Sequence, residues 1–488
     1  MAKLYVFGIG GTGSRVIKSL TLLLASGIEA NGHDIVPIII DPDIANGDVT
    51  RTIELLKNYR QVRNQRYLDF SNDSNKFYKN KIEPLENNED NFRMPLNGVS
   101  DNKFKDYIDY GTLDRKNKAL ASLLFSEDNL EAKMDVGFKG NPNIGSVVLN
   151  QFVDSPYFKQ FAASFQEGDR IFIVSSIFGG TGAAGFPLIL KNLRELADPF
   201  PNCALIKRAP VGAITVLPYF GVTTDTNSKI DSSTFISKTK AALTYYNKNV
   251  SGNRSLNALY YIGDQMKKDY TNNEGSIAQK NDAHFVELAA ALAILDFAHT
   301  SAGSLRNRLE RIPDGDTERI VAERLHYKDF GIKRNAPEVT FDVLADITQQ
   351  QLKKSLTQYL LFVKYQREYI KTGLTKAWAK DNRFDEMFLG ELFYGSYLRN
   401  VNGYFIEWLQ ELERNDRAFC PFNLNTEANN LFNLVKNVKP KFSFTNNYNL
   451  FDSELNGVKD SNTQKEQKFM ALFYQATAQL VKNKFNFK

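Results

Sequence analysis

The sequence is poor in the residues that build disulfide and metal frameworks. Among 488 residues there are only two cysteines, Cys203 and Cys420. That excludes a disulfide scaffold and a cysteine-rich zinc site, and it suits a reducing compartment such as the cytoplasm. The four histidines, His33, His284, His299 and His326, are scattered without ligand spacing, so no metal site is expected from them. No apolar run reaches the roughly 20 residues that cross a bilayer. The longest, Val286 to Ala298, contains Glu287 and Asp296 and reads as a buried helix. Met1-Ala2-Lys3 leads into four apolar residues and then glycines, too short a run for a secretory leader. A dominant charge is lacking too: the formal net charge of +5 is small for this length and implies neither a nucleic acid nor an anionic membrane partner. No G-x-x-x-x-G-K-S/T sequence occurs, which speaks against a P-loop NTPase.

What is present is a globular balance, with 42% hydrophobic and 24% charged residues. The length calls for two or more lobes. Residues 4–7 read as a buried strand, followed by a glycine-rich turn and a helix through Leu24. Residues 35–40 read as a second strand despite Pro37, completing a βαβ unit. Residues 50–135 are rich in Asn, Asp and Lys and read as an insertion with some helices. Strand and helix then alternate: strand 171–175, glycine turn 179–185, helix 186–197, strand Val211–Leu217, helix 233–248, strand Leu259–Ile262 and a long apolar helix over 283–300. This alternation predicts an α/β fold with a parallel sheet and helices on both faces. Ligands of such sheets sit at the carboxyl ends of the strands. Beyond about residue 340, Leu352, Leu356, Tyr359, Leu360 and Val363 fall at helical spacing, as do groups over 386–412 and 466–484. The C-terminal region is therefore expected to be mainly helical, with loops over 436–464.

Three glycine-rich segments stand out, the first two directly after strands. The first is Gly8-Ile9-Gly10-Gly11-Thr12-Gly13-Ser14. Glycines there let the backbone turn tightly and approach a phosphate, and the following helix offers free N–H groups. Alone, this pattern fits dinucleotide-binding Rossmann domains, adenylate-forming enzymes of the ubiquitin-activating type and tubulin-like proteins. Asp41-Pro42-Asp43 ends the second strand, and Asp41 either holds a ribose hydroxyl or closes a turn. The second segment is Phe178-Gly179-Gly180-Thr181-Gly182-Ala183-Ala184-Gly185. It resembles the GGGTGSG signature of tubulins and FtsZ, with Phe178 in place of the first glycine and the last glycine displaced by one residue. The third, Gly137-Phe138-Lys139-Gly140-Asn141-Pro142-Asn143-Ile144-Gly145, resembles the FtsZ loop over the terminal phosphates and stands in the matching order. Val211 to Phe220 resembles the FtsZ strand that ends in a Pro-Phe turn.

On these motifs the chain resembles a diverged prokaryotic tubulin/FtsZ-like protein, over roughly residues 3–300. The resemblance implies a nucleotide-binding domain over 1–310, interrupted by the 50–135 insertion, and a helical domain over 311–488. It implies GTP or GDP with Mg2+ as the ligand and a GTPase that assembles head to tail into filaments. Its site would comprise Gly8, Gly10, Gly11, Thr12, Gly13, Ser14, Gly179, Gly180, Thr181, Gly182 and Ala183. Gly137, Gly140 and Asn141 would lie near the γ-phosphate. Arg15 occupies the place of a small polar residue in FtsZ; it either contacts a phosphate or faces solvent. Asn281 either reads the guanine edge or caps the long helix, and Phe285 either stacks on the base or packs in the core. The family's water-positioning acidic loop, NxDxxD, has no match here. Asp314, Asp316, Glu318 and Asp329 are the acids nearby, so no catalytic residue is assigned. The C-terminal region would replace the family's second domain or recruit a protein partner. Three other readings stay open: a nucleotide-binding scaffold without hydrolysis, an adenylate-forming enzyme using Asp41 and Asp43, and an NAD(P)-dependent oxidoreductase. The last leaves the second and third glycine segments unexplained.

Overall fold

The structure, a computed structural model, describes residues 2–64, 74–85, 91–99, 102–134, 137–138, 141–222, 232–250, 255–266, 269–270, 277, 279–305, 336–441, 447–460 and 463–487. At its centre lie five parallel strands: β1 (Lys3–Ile9), β2 (Asp34–Ile40), β3 (Arg170–Ser176), β4 (Val211–Val216) and β5 (Ala258–Ile262). Their order across the sheet is β2-β1-β3-β4-β5. All seven residues of β2 and of β3 are buried, as expected of strands covered on both faces. Phe7 and Phe172 show the two faces. Phe7 pairs in register with Ile173, so Phe172 points the other way. The Phe7 ring packs on Phe161 and the Phe172 ring on Phe297. Phe161 belongs to a helix over Pro156–Ser164 and Phe297 to one over Phe285–His299, on opposite sides of the sheet.

The helices used below are α1 (Gly10–Ala25), α2 (Gly47–Arg63), α3 (Pro142–Leu149), α4 (Pro156–Ser164), α5 (Gly180–Glu195), α6 (Ser232–Asn249) and α7 (Phe285–His299). The first and second glycine segments are not loops for most of their length. Gly10 to Ser14 form the opening of α1, and Gly180 to Gly185 the opening of α5, which therefore starts earlier than the expected residue 186.

Residues 50–135 cover one edge of the sheet. Asn46 caps α2, accepting from the N–H groups of Asp48 and Val49. The chain then runs beside the outer edge of β2. Ile35 N–H donates to the Lys81 carbonyl and Ile39 N–H to the Phe92 carbonyl. Pro37, midway between, turns its missing donor toward this same edge, where the covering chain changes from one segment to the next. That is why a proline is tolerated inside the strand. Tyr59, Phe77, Tyr78, Ile82, Phe92, Met94 and Phe104 are buried, hidden in the sequence by their polar surroundings.

The C-terminal region is mainly helical, as its spacing predicts: α8 (Asp346–Lys364), α9 (Arg399–Arg414), α10 (Tyr448–Gly457) and α11 (Lys465–Lys484). Helix α10 falls where loops were expected; its buried face is Tyr448, Phe451 and Leu455. The expected boundary at 310/311 lies outside the described residues. The two parts share one apolar core. Trp408 of α9 is fully buried and its indole N–H donates to Ser19 Oγ of α1 at 3.2 Å. The hydroxyls of Tyr78 and Tyr359 meet at 2.5 Å. Among the described residues no helix is long and apolar enough to cross a membrane.

A shared core predicts one cooperative unfolding unit. Trp408→Ala should cost about 3–5 kcal/mol, and calorimetry should show a single transition in both proteins. Two separate transitions would mean that α9 does not stabilise the sheet.

Candidate phosphate site at the centre of the sheet

Strands β1 and β3 are neighbours, but the chain leaves β1 toward β2 on one side and continues from β3 toward β4 on the other. A crevice opens at such a switch point, at the carboxyl ends of the two strands. Both strands feed directly into helices there. The N-cap residues Ile9 of α1 and Gly179 of α5 offer no side-chain acceptor to the first turn. Two helix N-termini thus stand side by side, each with N–H groups lacking side-chain caps and a partial positive charge. A pair of termini arranged in this way can hold a polyanion.

The glycines set how closely the parts approach. Gly10 has a positive φ of 72°, and a Cβ built on it would stand 3.6 Å from Thr181 Cβ and 3.9 Å from the Gly182 nitrogen. The first and second segments therefore lie close enough that a single added methyl would bridge them. At Gly13 a Cβ would lie 2.5 Å from the Gly8 carbonyl carbon and 3.2 Å from the Val174 oxygen, so α1 rests directly on the strand backbones. At Gly182 it would fall 2.6 Å from the Ser176 carbonyl oxygen. The third segment joins through α3: a Cβ on Gly145 would lie 2.8 Å from Ala184 Cβ and 3.0 Å from the Gly180 oxygen. Asn141 is the N-cap of α3, and its amide donates to Asn129 Oδ1 at 2.7 Å. The segments around Thr12, Asn141 and Thr181 thus meet on one rim.

Other expected site residues sort by geometry. Gly8 lies within β1 and serves close packing, since a Cβ there would meet Ile17 Cδ1 at 2.5 Å. Thr12 is buried, and the buried hydroxyl of Ser14 has no hydrogen-bond partner in the protein. The Ala183 N–H is committed to the Gly179 carbonyl at 3.3 Å. Gly137 has a positive φ of 88° with open space where a side chain would go. Gly140 and the acids Asp314, Asp316, Glu318 and Asp329 lie outside the described residues.

Arg15 corrects both expectations for it. Its guanidinium is buried rather than exposed, and it is held by carboxylates rather than left for a phosphate. Nε donates to Glu287 at 2.5 Å, Nη1 to Asp48 at 2.9 Å and Nη2 to the Tyr219 hydroxyl at 2.7 Å. Asp48 also accepts from Arg51 at 2.8 Å. Glu411 of α9 accepts from Lys18 at 2.7 Å and from Arg51 at 2.5 Å. Burial alone would lower the Arg15 pKa, but Glu287, Tyr219 and Asp48 raise it well above its ordinary value. Burial alone would raise that of Asp48, but Arg15 and Arg51 hold it below the usual carboxylate range. No spacing in the sequence announces this cluster. The local signals are slight: Arg15 and Lys18 are the two charges of α1, and Asp48 and Arg51 stand three residues apart on α2.

The helix-cap and base-stacking expectations are corrected as well. The cap of α7 is His284, not Asn281: Val286 N–H donates to His284 Nδ1, and Glu287 returns a bond to the His284 N–H. The Asn281 side chain donates to Asp48 Oδ2 at 3.0 Å. Phe285 is buried and stacks on Phe419 with centroids 5.8 Å apart, so it packs in the core. Asp41 closes the turn after β2 by accepting the Asp43 N–H at 2.9 Å. Burial pushes its pKa from 3.8 up to about 7, against the opposing pull of that N–H and of Arg93.

Strand order and helix termini define a doubly wound parallel α/β protein with two adjacent helix N-termini at its switch point. No family model matches the chain, and no curated protein matches it. Among solved structures it is similar to CetZ2 from Haloferax volcanii, solved as a GTPγS-bound protofilament, with 10% identity, 63% of this chain and 62% of that chain covered, and a TM-score of 0.31. It is similar to CetZ1 from Haloferax volcanii, a GDP-bound monomer, with 13% identity, coverage of 63% and 64%, and a TM-score of 0.31. TubZ of Bacillus thuringiensis serovar israelensis, solved as a GTPγS-form protofilament, shows 13% identity, coverage of 60% and 55%, and a TM-score of 0.28. The chain thus spans about three-fifths of the length of these structures.

Two predictions test the geometry. Gly13→Ala drives a Cβ into rigid backbone and should cost about 1–3 kcal/mol or more, whereas Gly11→Ala meets nothing nearer than Arg15 Nη1 at 3.7 Å and should fold with an unchanged thermal midpoint. For Asp41, the raised pKa means that protonation favours the folded state. Its contribution is full below pH 3.8 and lost as pH rises through about 7. Asp41→Asn should therefore match the parent in acid and become the more stable protein as pH climbs through that window. Thermal melts at stepped pH read the difference.

Proposed function

We propose that this chain is a tubulin-like guanine-nucleotide-binding protein of the cytoplasm that assembles head to tail and hydrolyses GTP. The observation that carries the reading is the pair of helix N-termini without side-chain caps at the β1/β3 switch point, with the third glycine segment packed onto the second. Adjacent helix termini favour a ligand with more than one negative charge. In this reading the backbone amides of Gly10–Ser14 and Gly179–Gly182 hold the α- and β-phosphates. The segment from Gly137 to Gly145 lies nearest the terminal phosphate.

The choice of guanine rests on the resemblance of the three segments to the tubulin/FtsZ motifs. With Asn281 and Phe285 committed to Asp48 and Phe419, base recognition falls to other residues of the rim. Magnesium would arrive with the nucleotide and neutralise phosphate charge, with most of its oxygens from phosphate and water. Among the described residues no group of three His, Cys, Asp or Glu could hold a metal ion alone. A second reading, a nucleotide-binding scaffold without hydrolysis, is favoured by the stretch after α7. Thr300-Ser301-Ala302-Gly303-Ser304 carries no acid where the family places its catalytic loop.

The test is the nucleotide that co-purifies with the protein. GDP or GTP is expected; NAD or ATP would overturn the proposal. Phosphate release per molecule should then climb steeply with protein concentration, as intersubunit catalysis requires. Bound guanine nucleotide with no release at any concentration would establish the scaffold instead.

A further inference from the structure

Beneath the first glycine segment, six buried charged side chains pair with one another, and a seventh, the partly exposed Glu407 of α9, lies 3.6 Å from Arg51 at the edge of the set. Three are cations, Arg15, Lys18 and Arg51, and three are carboxylates, Asp48, Glu287 and Glu411. They come from α1, α2, α7 and α9, so the set joins the sheet domain to a C-terminal helix. The connections run in series. Glu411 holds Arg51, Arg51 holds Asp48, and Asp48 holds Arg15. Arg15 Nη1 lies 3.7 Å from where a Cβ of Gly11 would stand, directly under the phosphate cradle. Glu411 also grips α1 itself through Lys18, and it accepts the Ala283 N–H just before α7.

From this we propose that Glu411 is a positioning residue of the phosphate site, and that nucleotide affinity depends on α9 being docked. The inference rests on the proposed nucleotide binding at that site and names its regulation. The physical cause is charge balance in a water-poor interior. Equal numbers of cations and carboxylates let all six stay ionised, and a charge buried without its partner is strongly unfavourable. If α9 lifts, Lys18 and Arg51 lose Glu411, Arg51 loses its fixed geometry, and the grip of Asp48 on Arg15 loosens. The first turn of α1 then loses its support from below. Coupling of this kind is reciprocal: nucleotide on the cradle holds α9 in place to the same degree that α9 favours the nucleotide.

GDP binding to the full chain, followed by titration calorimetry, provides the test. Glu411→Gln keeps the shape of the side chain and removes its charge; it should weaken GDP about tenfold, within the usual range for coupled sites. The double variant Lys18→Met/Glu411→Gln restores the balance of charge and should recover most of that loss. A residue that only fills space would show no such recovery. Hydrogen exchange on the unmutated protein gives a second readout that survives any folding defect in the variants: GDP should slow exchange over residues 399–414. If the parent binds GDP but exchange there is unchanged, or Glu411→Gln binds as the parent does, the coupling is wrong. If the parent binds no guanine nucleotide, the functional reading itself fails, and the inference with it.

Discussion

The guanidinium of Arg15 joins elements that are far apart in the chain. It sits at the end of the first glycine segment yet bonds to the start of α2, the turn after β4 and the first turn of α7. Through Asp48, Arg51 and Glu411 its influence reaches α9. Such a cluster is costly to desolvate, and its members must arrive together to remain ionised. It adds little to stability compared with an apolar core of the same volume. Its structural consequence is specificity: α1, α2, α7 and α9 have one mutual arrangement that satisfies all six charges.

Above that cluster, the cradle is made from backbone alone. Two strands end side by side, two helices begin there, and glycine lets them approach closely. Gly10 meets Thr181, Gly13 rests on Gly8, and Gly145 seats α3 against α5. A side chain at Gly13, Gly145 or Gly182 would push the segments apart. The polar groups available to a ligand are then mainly N–H groups, held by the strands behind them without any side-chain rotamer to order.

The strands, the glycine segments and their order along the chain were legible because each is continuous in sequence. Buried strands such as residues 171–175 show as unbroken apolar runs. Two features were hidden. Residues 50–135 carry their buried aromatics singly among Asn, Asp and Lys, so composition shows an insertion with some helices but not that it covers the edge of β2. The charge cluster pairs Lys18 with Glu411 and Arg15 with Glu287, and no local pattern links residues so distant. In the sequence Asn281 fits a base contact or a helix cap and Phe285 a base stack or the core; local sequence cannot choose, because the outcome depends on Asp48 and Phe419.

The covered edge of β2 bears on how copies of this chain could meet. Ile35 and Ile39 already give their outward N–H groups to the chain's own backbone, and Pro37 has none to give. An incoming strand would find no ladder to join on this side. Polymerisation by sheet extension is closed off here, and any contact between copies across this flank has to be built from side chains.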